Sequence, residues 1–226
     1  MLADIDGRPM IEHVYRRASA APAVSQVIVA TDDLRIATRV RDFGGNVRLT
    51  KATHETGTDR IAEIVATLDC DVVVNVQGDE PLLDPRAIGE LVAPFRSDPG
   101  LQMTTLYRRI HDPAELNNPN VTKVVVDRGG FAMYFSRAPI PHLRRAGTGW
   151  PPLYRHIGIY AHRRSALLVM AALEPTPLER AESLEQLRAL EHGIRIKAIE
   201  TKYESFGVDT PEDLEQVRRL MAAPAS

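Results

Sequence analysis

An α/β fold, with a mostly parallel sheet and helices on both of its faces, is predicted by three observations. Short β-branched runs alternate with helix-spaced runs through the first half of the chain, with brief links between them. The strand candidates are continuously apolar instead of alternating, as burial on both sides requires. The chain has 226 residues, 44% of them hydrophobic, enough for one sizeable core.

The elements follow in order. "MIEHVYRRASAA" places Met10, Ile11, Val14 and Tyr15 on one helical face, with Pro9 at its start. Gln26 to Thr31, "QVIVAT", is a buried strand, and "LRIATRVRDFGG" is a helix closed by Gly44 or Gly45. "NVRLT" is a further strand. "TGTDRIAEIVATL" opens on threonines able to cap a helix that carries Ile61, Ile64, Val65 and Leu68. "DVVVNVQ" is the most apolar strand, and a helix from about Pro85 to Phe95 follows it. The middle of the chain changes character. "MTTLYRRI", "TKVVVD" and "FAMYFSRAPIP" read as strands, the last two joined by the hairpin turn "DRGG". This stretch, 102–145, is expected to be an insertion in a single domain that spans 1–226. "HIGIYAH" is another strand. Helices at Arg163 to Leu173 and Leu178 to His192, the strand "IRIKAIE" and the helix "TPEDLEQVRRLM" complete the chain.

Composition narrows the function. A net charge of -2, with Lys and Arg spread throughout, gives no basic block for nucleic acid. The single cysteine, Cys70, excludes an intrachain disulfide and fits a reducing cytoplasm. No apolar run approaches the ~20 residues that span a bilayer, and "MLADIDGRPM" lacks the apolar centre of a signal peptide. GxSxG, Walker A, GxGxxG and HExxH motifs are all missing, which argues against the corresponding hydrolase, kinase, oxidoreductase and protease chemistries.

The chemistry-bearing residues cluster at strand ends, where ligands gather in open parallel sheets. "VVVNVQ" delivers Gln77, Gly78, Asp79 and Glu80 to such an edge. Two readings stand for Asp79: a ligand for a hard cation, or a turn residue capping the next helix. In "GVDTPEDL", Thr210 and Pro211 make a strong helix start, and Glu212 and Asp213 suit its first turn. Asp209 lies outside the cap and is the freer carboxylate, so Asp79 and Asp209 together could share a Mg2+. In "HETGTDR", Gly57 and its threonines offer backbone donors to an anion or simply cap a helix, and Arg60 could grip a carboxylate or stay solvated. His156 and Tyr160 share a strand face, with Gly158 leaving room between them. Glu185 and Gln186 either serve a site or form a solvated helix face.

Taken in order, "DIDGRPMIEHV", "VIVATDD", "HETGTDRIAE", "VVNVQGDEP", "YFSRAPIP", "RHIGIY", "LEQLRAL" and "GVDTPEDLEQVR" resemble the 3-deoxy-D-manno-octulosonate (Kdo) cytidylyltransferases over nearly the whole chain. Sialic-acid cytidylyltransferases share the fold but match three of these segments less well. The resemblance implies a glycosyltransferase-A-like (nucleotide-diphospho-sugar transferase) fold and a homodimer joined through the inserted hairpin region. It implies transfer of CMP from CTP to the anomeric hydroxyl of Kdo, for lipopolysaccharide synthesis in the cytoplasm. It assigns Asp79 and Asp209 to Mg2+ and Arg60 to the sugar carboxylate. Gln77, His156, Tyr160, Glu185 and Gln186 are assigned to sugar hydroxyls. Ala30, Thr31, Asp32, His54, Thr56, Gly57 and Thr58 fall near the nucleotide. Another acidic sugar, a sialic acid or 8-amino-Kdo, is the neighbouring expectation, and a non-catalytic sugar- or nucleotide-binding protein is the alternative class.

One departure accompanies the resemblance. Relatives of this type open on a strand and a loop of the form Pro-Ala-Arg, then Ser, Arg-Leu-Pro-Gly-Lys, and Leu2 aligns just after that lysine. A chain without that strand and triphosphate loop is expected to turn over poorly and to carry exposed sheet edges.

Overall fold

The structure is a computed structural model that describes residues 1–54, 56–144, 152–204 and 206–222. The end of the expected insertion, residue 145, lies outside the described residues. The chain forms two compact units: one of residues 1–69, 76–89 and 203–226, the other of residues 70–75 and 90–202.

The first unit opens on a two-stranded hairpin, β1 (Asp4–Ile5) and β2 (Arg8–Pro9), turned by Asp6 and Gly7 at positive φ. Helix α1 (Met10–Ser19) starts at Pro9, as its sequence predicts, and buries Met10, Ile11 and Val14. Strand β3 (Val29–Thr31) is shorter than the "QVIVAT" run and pairs in parallel with β4 (Val47–Leu49). Between them, Asp33 caps α2 (Leu34–Asp42) by accepting the Arg35 N–H at 2.7 Å. Helix α3 (Gly57–Val65) is capped by Thr56, whose hydroxyl accepts the Asp59 N–H at 3.1 Å. The C-terminal helix α10 (Pro211–Ala222) packs Val217 against Ile5 and Met10, and Leu82, Val208 and Leu214 close the cluster.

The second unit is built on one strand. Strand β9 (Tyr154–Arg163) runs antiparallel to β6 (Met103–Arg109) along one edge. Its other edge is divided: β7 (Lys123–Val126) takes Tyr154 and Arg155, and β5 (Val72–Asn75) takes Tyr160 to Arg163. Strand β8 (Ala132–Ser136) pairs with β7 through the predicted hairpin, whose Gly130 has φ +76°, and β10 (Ile196–Glu200) pairs in parallel with β6. The expected mostly parallel sheet is not what forms here: among the described residues only β10–β6 pairs in parallel in this sheet, and its other pairings, all made by β9 or the β7–β8 hairpin, are antiparallel. The helix expected from Pro85 to Phe95 divides into α4 (Pro85–Val92) and α5 (Pro94–Ser97), because Pro94 cannot continue the hydrogen-bond ladder. The short α6 (Pro113–Asn117), like the β1–β2 hairpin, has no counterpart among the predicted elements. Helix α7 (Arg164–Ala171) follows β9 directly.

The single helix expected over Leu178 to His192 is two helices, α8 (Pro177–Glu182) and α9 (Gln186–Glu191). Ser183 breaks them apart at φ 53°, ψ 48°. A buried ion pair fixes that break: Arg188 on α9 donates to both oxygens of Glu179 on α8, at 2.8 and 2.6 Å, and to the Leu173 carbonyl at 3.2 Å. Burial alone would raise the pKa of Glu179. The Arg188 bonds and the Thr176 N–H outweigh it and hold the carboxyl below its ordinary 4.5. A depressed carboxyl stabilises the fold above its unfolded pKa, and the contribution is lost as pH falls through the folded value. Arg188→Ala is therefore expected to cost roughly 3–5 kcal/mol in urea unfolding at pH 7, and Glu179→Gln to flatten the loss of stability of the parent chain below about pH 4.5.

Candidate active site

The first unit holds the acidic pair. Leaving β5, the chain turns at Gln77, whose carbonyl accepts the Glu80 N–H at 3.3 Å. At Gly78 the Met1 side chain approaches the backbone: a Cβ there would lie 2.5 Å from the Met1 thioether, which would have to swing aside, and 3.2 Å from Ile11 Cδ1. The two carboxylates that follow have different fates. Glu80 accepts the Tyr203 hydroxyl at 3.1 Å, a structural bond. Asp79 is half-buried, and its carbonyl accepts the Val208 N–H at 3.0 Å, which brings the Asp209 segment alongside. Burial raises the pKa of Asp79, and the negative charge of Asp209 raises it further. Asp213 completes the cap of α10, accepting the N–H groups of Asp209 and Thr210 at 3.2 and 2.9 Å while its own N–H reaches the Thr210 hydroxyl. Asp213 and Thr210 thus do the capping, and the exposed Asp209 carboxylate remains beside Asp79.

Two carboxylates that repel each other at a strand end fit a hard divalent cation with oxygen ligands. No third His, Cys, Asp or Glu joins them among the described residues, which suits Mg2+, an ion that fills its shell with water and phosphate oxygens.

The same unit holds the expected nucleotide residues. Ala30 and Thr31 end β3, where the Thr31 hydroxyl accepts the Asp33 N–H at 3.1 Å. Asp32 pairs with Arg60 at 2.9 Å, and Arg60 also donates to the Thr50 hydroxyl at 2.6 Å. Arg60, expected on the sugar carboxylate, pairs in this unit with the carboxylate of Asp32. His54 bonds Glu63 of α3, which also accepts the Lys51 N–H at 3.2 Å, so the segment before the helix is tied down. His54 holds the Glu63 pKa below its ordinary value. Thr58 is buried, Thr56 is engaged as the cap, and Gly57 has open space where a side chain would stand. Gln77 is exposed.

The second unit gathers His156, Tyr160, Glu185 and Gln186. Pairing between β6 and β9 slips at Thr105/Leu106: Thr105 faces Tyr160 but Leu106 faces Ile157, leaving Gly158 and Ile159 unmatched. Four residues of regular strand would separate His156 from Tyr160 by about 13 Å. Their ring centres lie 5.4 Å apart. Gly158 stands in an exposed bulge with open space where a side chain would be, and the two rings pack against each other. The Thr105 hydroxyl donates to the Ile159 carbonyl at 3.0 Å and meets His156 Nε2 at 2.9 Å. The hydroxyl also lies 3.3 Å from the Ile157 carbonyl, and in the tautomer that leaves its proton on a carbonyl, Nε2 carries the ring's hydrogen and Nδ1 is the acceptor. Burial, aided by the nearby Arg155 charge, pushes His156 down to about 3, so the ring is neutral. Burial and the Glu185 carboxylate push the Tyr160 phenol well up, keeping it a donor. Gln186 is only 4% exposed, and its Nε2 has no hydrogen-bond partner among the described residues.

His162 was not among the sequence candidates. It is 2% exposed, neither ring nitrogen has a hydrogen-bond partner among the described residues, and its ring centre lies 6.0 Å from that of Tyr160. Burial pushes it to about 4. The available signal was its even spacing from Tyr160 on the strand.

Comparison with known proteins follows from this geometry. A family model described as "Cytidylyltransferase" matches residues 1–199. A curated 3-deoxy-manno-octulosonate cytidylyltransferase of Geobacter metallireducens is 53% identical, over 96% of this chain and 89% of that protein. The chain belongs to the 3-deoxy-manno-octulosonate cytidylyltransferase family. A relative of the same name from Solibacter usitatus is 50% identical over 99% of this chain and 88% of its own. A solved CMP:2-keto-3-deoxy-manno-octonic acid synthetase, complexed with CTP, superposes with a TM-score of 0.92 at 45% identity, covering 98% of this chain and 90% of that one. A 4-diphosphocytidyl-2C-methyl-D-erythritol synthase from Anaerococcus prevotii, at 13% identity and a TM-score of 0.63 over 97% of this chain and 92% of its own, shares the fold.

Two outcomes are expected at these residues. Asp79→Asn relieves the repulsion from Asp209, so Tm in EDTA at pH 7 rises by on the order of 2 °C. Asp32→Asn unties Arg60 and lowers Tm by on the order of 2 °C in thermal melts.

Proposed function

We propose that this chain is a Mg2+-dependent cytidylyltransferase that joins CTP and Kdo to give CMP-Kdo and pyrophosphate. The observation that carries the reading is the Asp79–Asp209 pair, standing at a strand end in a chain 53% identical to a 3-deoxy-manno-octulosonate cytidylyltransferase. In the reaction, the anomeric oxygen of the sugar bonds to the α-phosphorus of CTP. The bond to the bridging oxygen breaks, pyrophosphate leaves with its electron pair, and the hydroxyl proton passes to solvent. Such a transfer depends on positioning and charge neutralisation, so no nucleophilic side chain is needed.

Asp79 and Asp209 would hold the cation, which when bound supplies Lewis-acid stabilisation of phosphate charge. Ala30, Thr31 and Asp32, with His54, Thr56, Gly57 and Thr58, serve the nucleotide, and Arg60 takes the sugar carboxylate. Neutral His156 accepts a sugar hydroxyl through Nδ1, Tyr160 donates to one, and Glu185 and Gln186 provide an acceptor and a donor. Gln77, exposed beside Asp79, serves the sugar in the same way.

The product is an activated sugar for lipopolysaccharide assembly in the cytoplasm. No helix among the described residues is long and apolar enough to cross a membrane. A homodimer through the β7–β8 hairpin is supported by Met133, 62% exposed on β8.

Pyrophosphate release tests the reading. With CTP, MgCl2 and a panel of sugars, release should depend on Kdo and exceed that with a sialic acid by at least ~100-fold. Preference for an uncharged sugar phosphate would overturn it. Asp209→Asn should lower kcat by ~100-fold or more, the scale of losing a charge-stabilising group. Met133→Lys should shift sedimentation from dimer toward monomer.

A further inference from the structure

The most deeply buried cation of the second unit lies outside the residues assigned so far. Lys123, at the start of β7, has 0% exposure. Its ammonium carries three protons, and each goes to a backbone carbonyl: Asn118 at 3.0 Å, Val121 at 2.6 Å, and Arg137. Burial lowers its pKa, and the attraction of Glu182 works the other way. An apolar side chain would fill the same space without a desolvation cost. What the ammonium adds is a tie between two chain segments, the 118–121 turn and the end of β8.

The tie continues through Arg137. Its backbone N–H donates to Glu182 Oε2 at 2.9 Å, its Nε to the Glu182 carbonyl at 2.9 Å, and its Nη1 to the Pro119 carbonyl at 3.0 Å. The Ser136 hydroxyl donates to Glu182 Oε1 at 2.6 Å. Both carboxylate oxygens and the carbonyl of Glu182 are therefore fixed by β8. Glu182 is the last residue of α8. Ser183 turns the chain in the left-handed region, the Leu184 N–H bonds the Glu179 carbonyl at 3.2 Å, and Glu185 and Gln186 follow at once. At the opposite end, Lys123 sits beside Thr122, whose carbonyl accepts the His156 N–H at 2.9 Å, and Lys123 is in register with Arg155 of β9. The chain of bonds runs from the strand that carries His156 to the helix start that carries Gln186.

We propose that Lys123, Arg137 and Glu182 form a positioning clamp that holds the Glu185–Gln186 end of α9 in register with the His156–Tyr160 stretch of β9, and so sets affinity for the acidic sugar. This rests on the sugar roles given above. None of the three needs to touch substrate.

The test is calorimetric titration of the full chain with Kdo and, separately, with CTP in MgCl2. Lys123→Met and Glu182→Gln should each weaken Kdo binding about tenfold, about 1.4 kcal/mol, with CTP binding changed less than twofold. Because the residues act in one chain of bonds, the double variant should weaken Kdo binding little beyond the worse single variant. If Lys123→Met does not fold, Ser136→Ala removes one bond of the same chain and should give the same Kdo-only loss at about threefold. Unchanged Kdo affinity with a lowered Tm, or equal losses for both ligands, would reduce the clamp to a stability element and overturn the proposal. A parent chain that binds CTP but not Kdo overturns the sugar assignment itself, and the clamp's role with it.

Discussion

The slip in pairing between β6 and β9 at Thr105 is the constraint on which the second unit depends. Two residues of β9, Gly158 and Ile159, have no partner on β6, and the strand closes up around them. A single threonine hydroxyl holds the bulge by bonding the Ile159 carbonyl inside it and the His156 ring beside it. The same stretch is where the far edge of β9 passes from β7 to β5. A regular ten-residue strand would use that length for sheet hydrogen bonds. Here it is spent on bringing an acceptor imidazole and a donor phenol within one small region, with Phe135 against the other side of the imidazole at 4.8 Å. Bulges recur next to binding sites because they re-aim side chains without moving the sheet.

The first unit solves the opposite problem. Its site residues carry charge, and the fold sorts paired from unpaired charge over very short distances. Of Asp32 and Asp33, the second caps α2 and the first holds Arg60. Of Asp79 and Glu80, the second takes the Tyr203 hydroxyl and the first is left against Asp209. Of Asp209 and Asp213, the second closes the α10 cap. In each pair one carboxylate satisfies backbone or side-chain donors, and its neighbour is thereby freed for another partner. At Asp79 burial and the Asp209 charge outweigh a backbone hydrogen bond and the N-terminal ammonium, so the raised pKa sets this carboxyl apart from its paired neighbours.

That sorting explains what could be read in the sequence. Thr210-Pro211 announced the helix start and left Asp209 outside it, because capping is a local interaction written in adjacent residues. Likewise Thr56 and the "DRGG" hairpin were legible from local chemistry. The split of α8 from α9 was not, because Leu178 to His192 is helical in its spacing throughout. The left-handed Ser183 is imposed by the Glu179–Arg188 pair and the bonds to Glu182, partners distant in sequence. The bulge at Gly158 was equally hidden: period-two reading correctly put His156 and Tyr160 on one side but gave them the spacing of a regular strand. The ion pair of Arg60 with Asp32 depends on a contact between α3 and the end of β3, which no spacing rule supplies.

Unit two also retains polar atoms that its own fold does not satisfy. Gln186 Nε2 and both nitrogens of His162 are buried without partners among the described residues, and each such group costs on the order of 1–3 kcal/mol. Apolar residues of similar size at 162 and 186 would remove that cost, so stability alone gives no account of them. The surrounding structure offsets it with fully bonded groups nearby: the Arg188–Glu179 pair, the three carbonyls on Lys123, and the Leu187, Phe135 and Met103 core. Rigid, satisfied groups hold a few unsatisfied ones in place, as a protein binding a polyhydroxylated ligand must, since donors already bonded internally would have to be broken free before they could bind sugar.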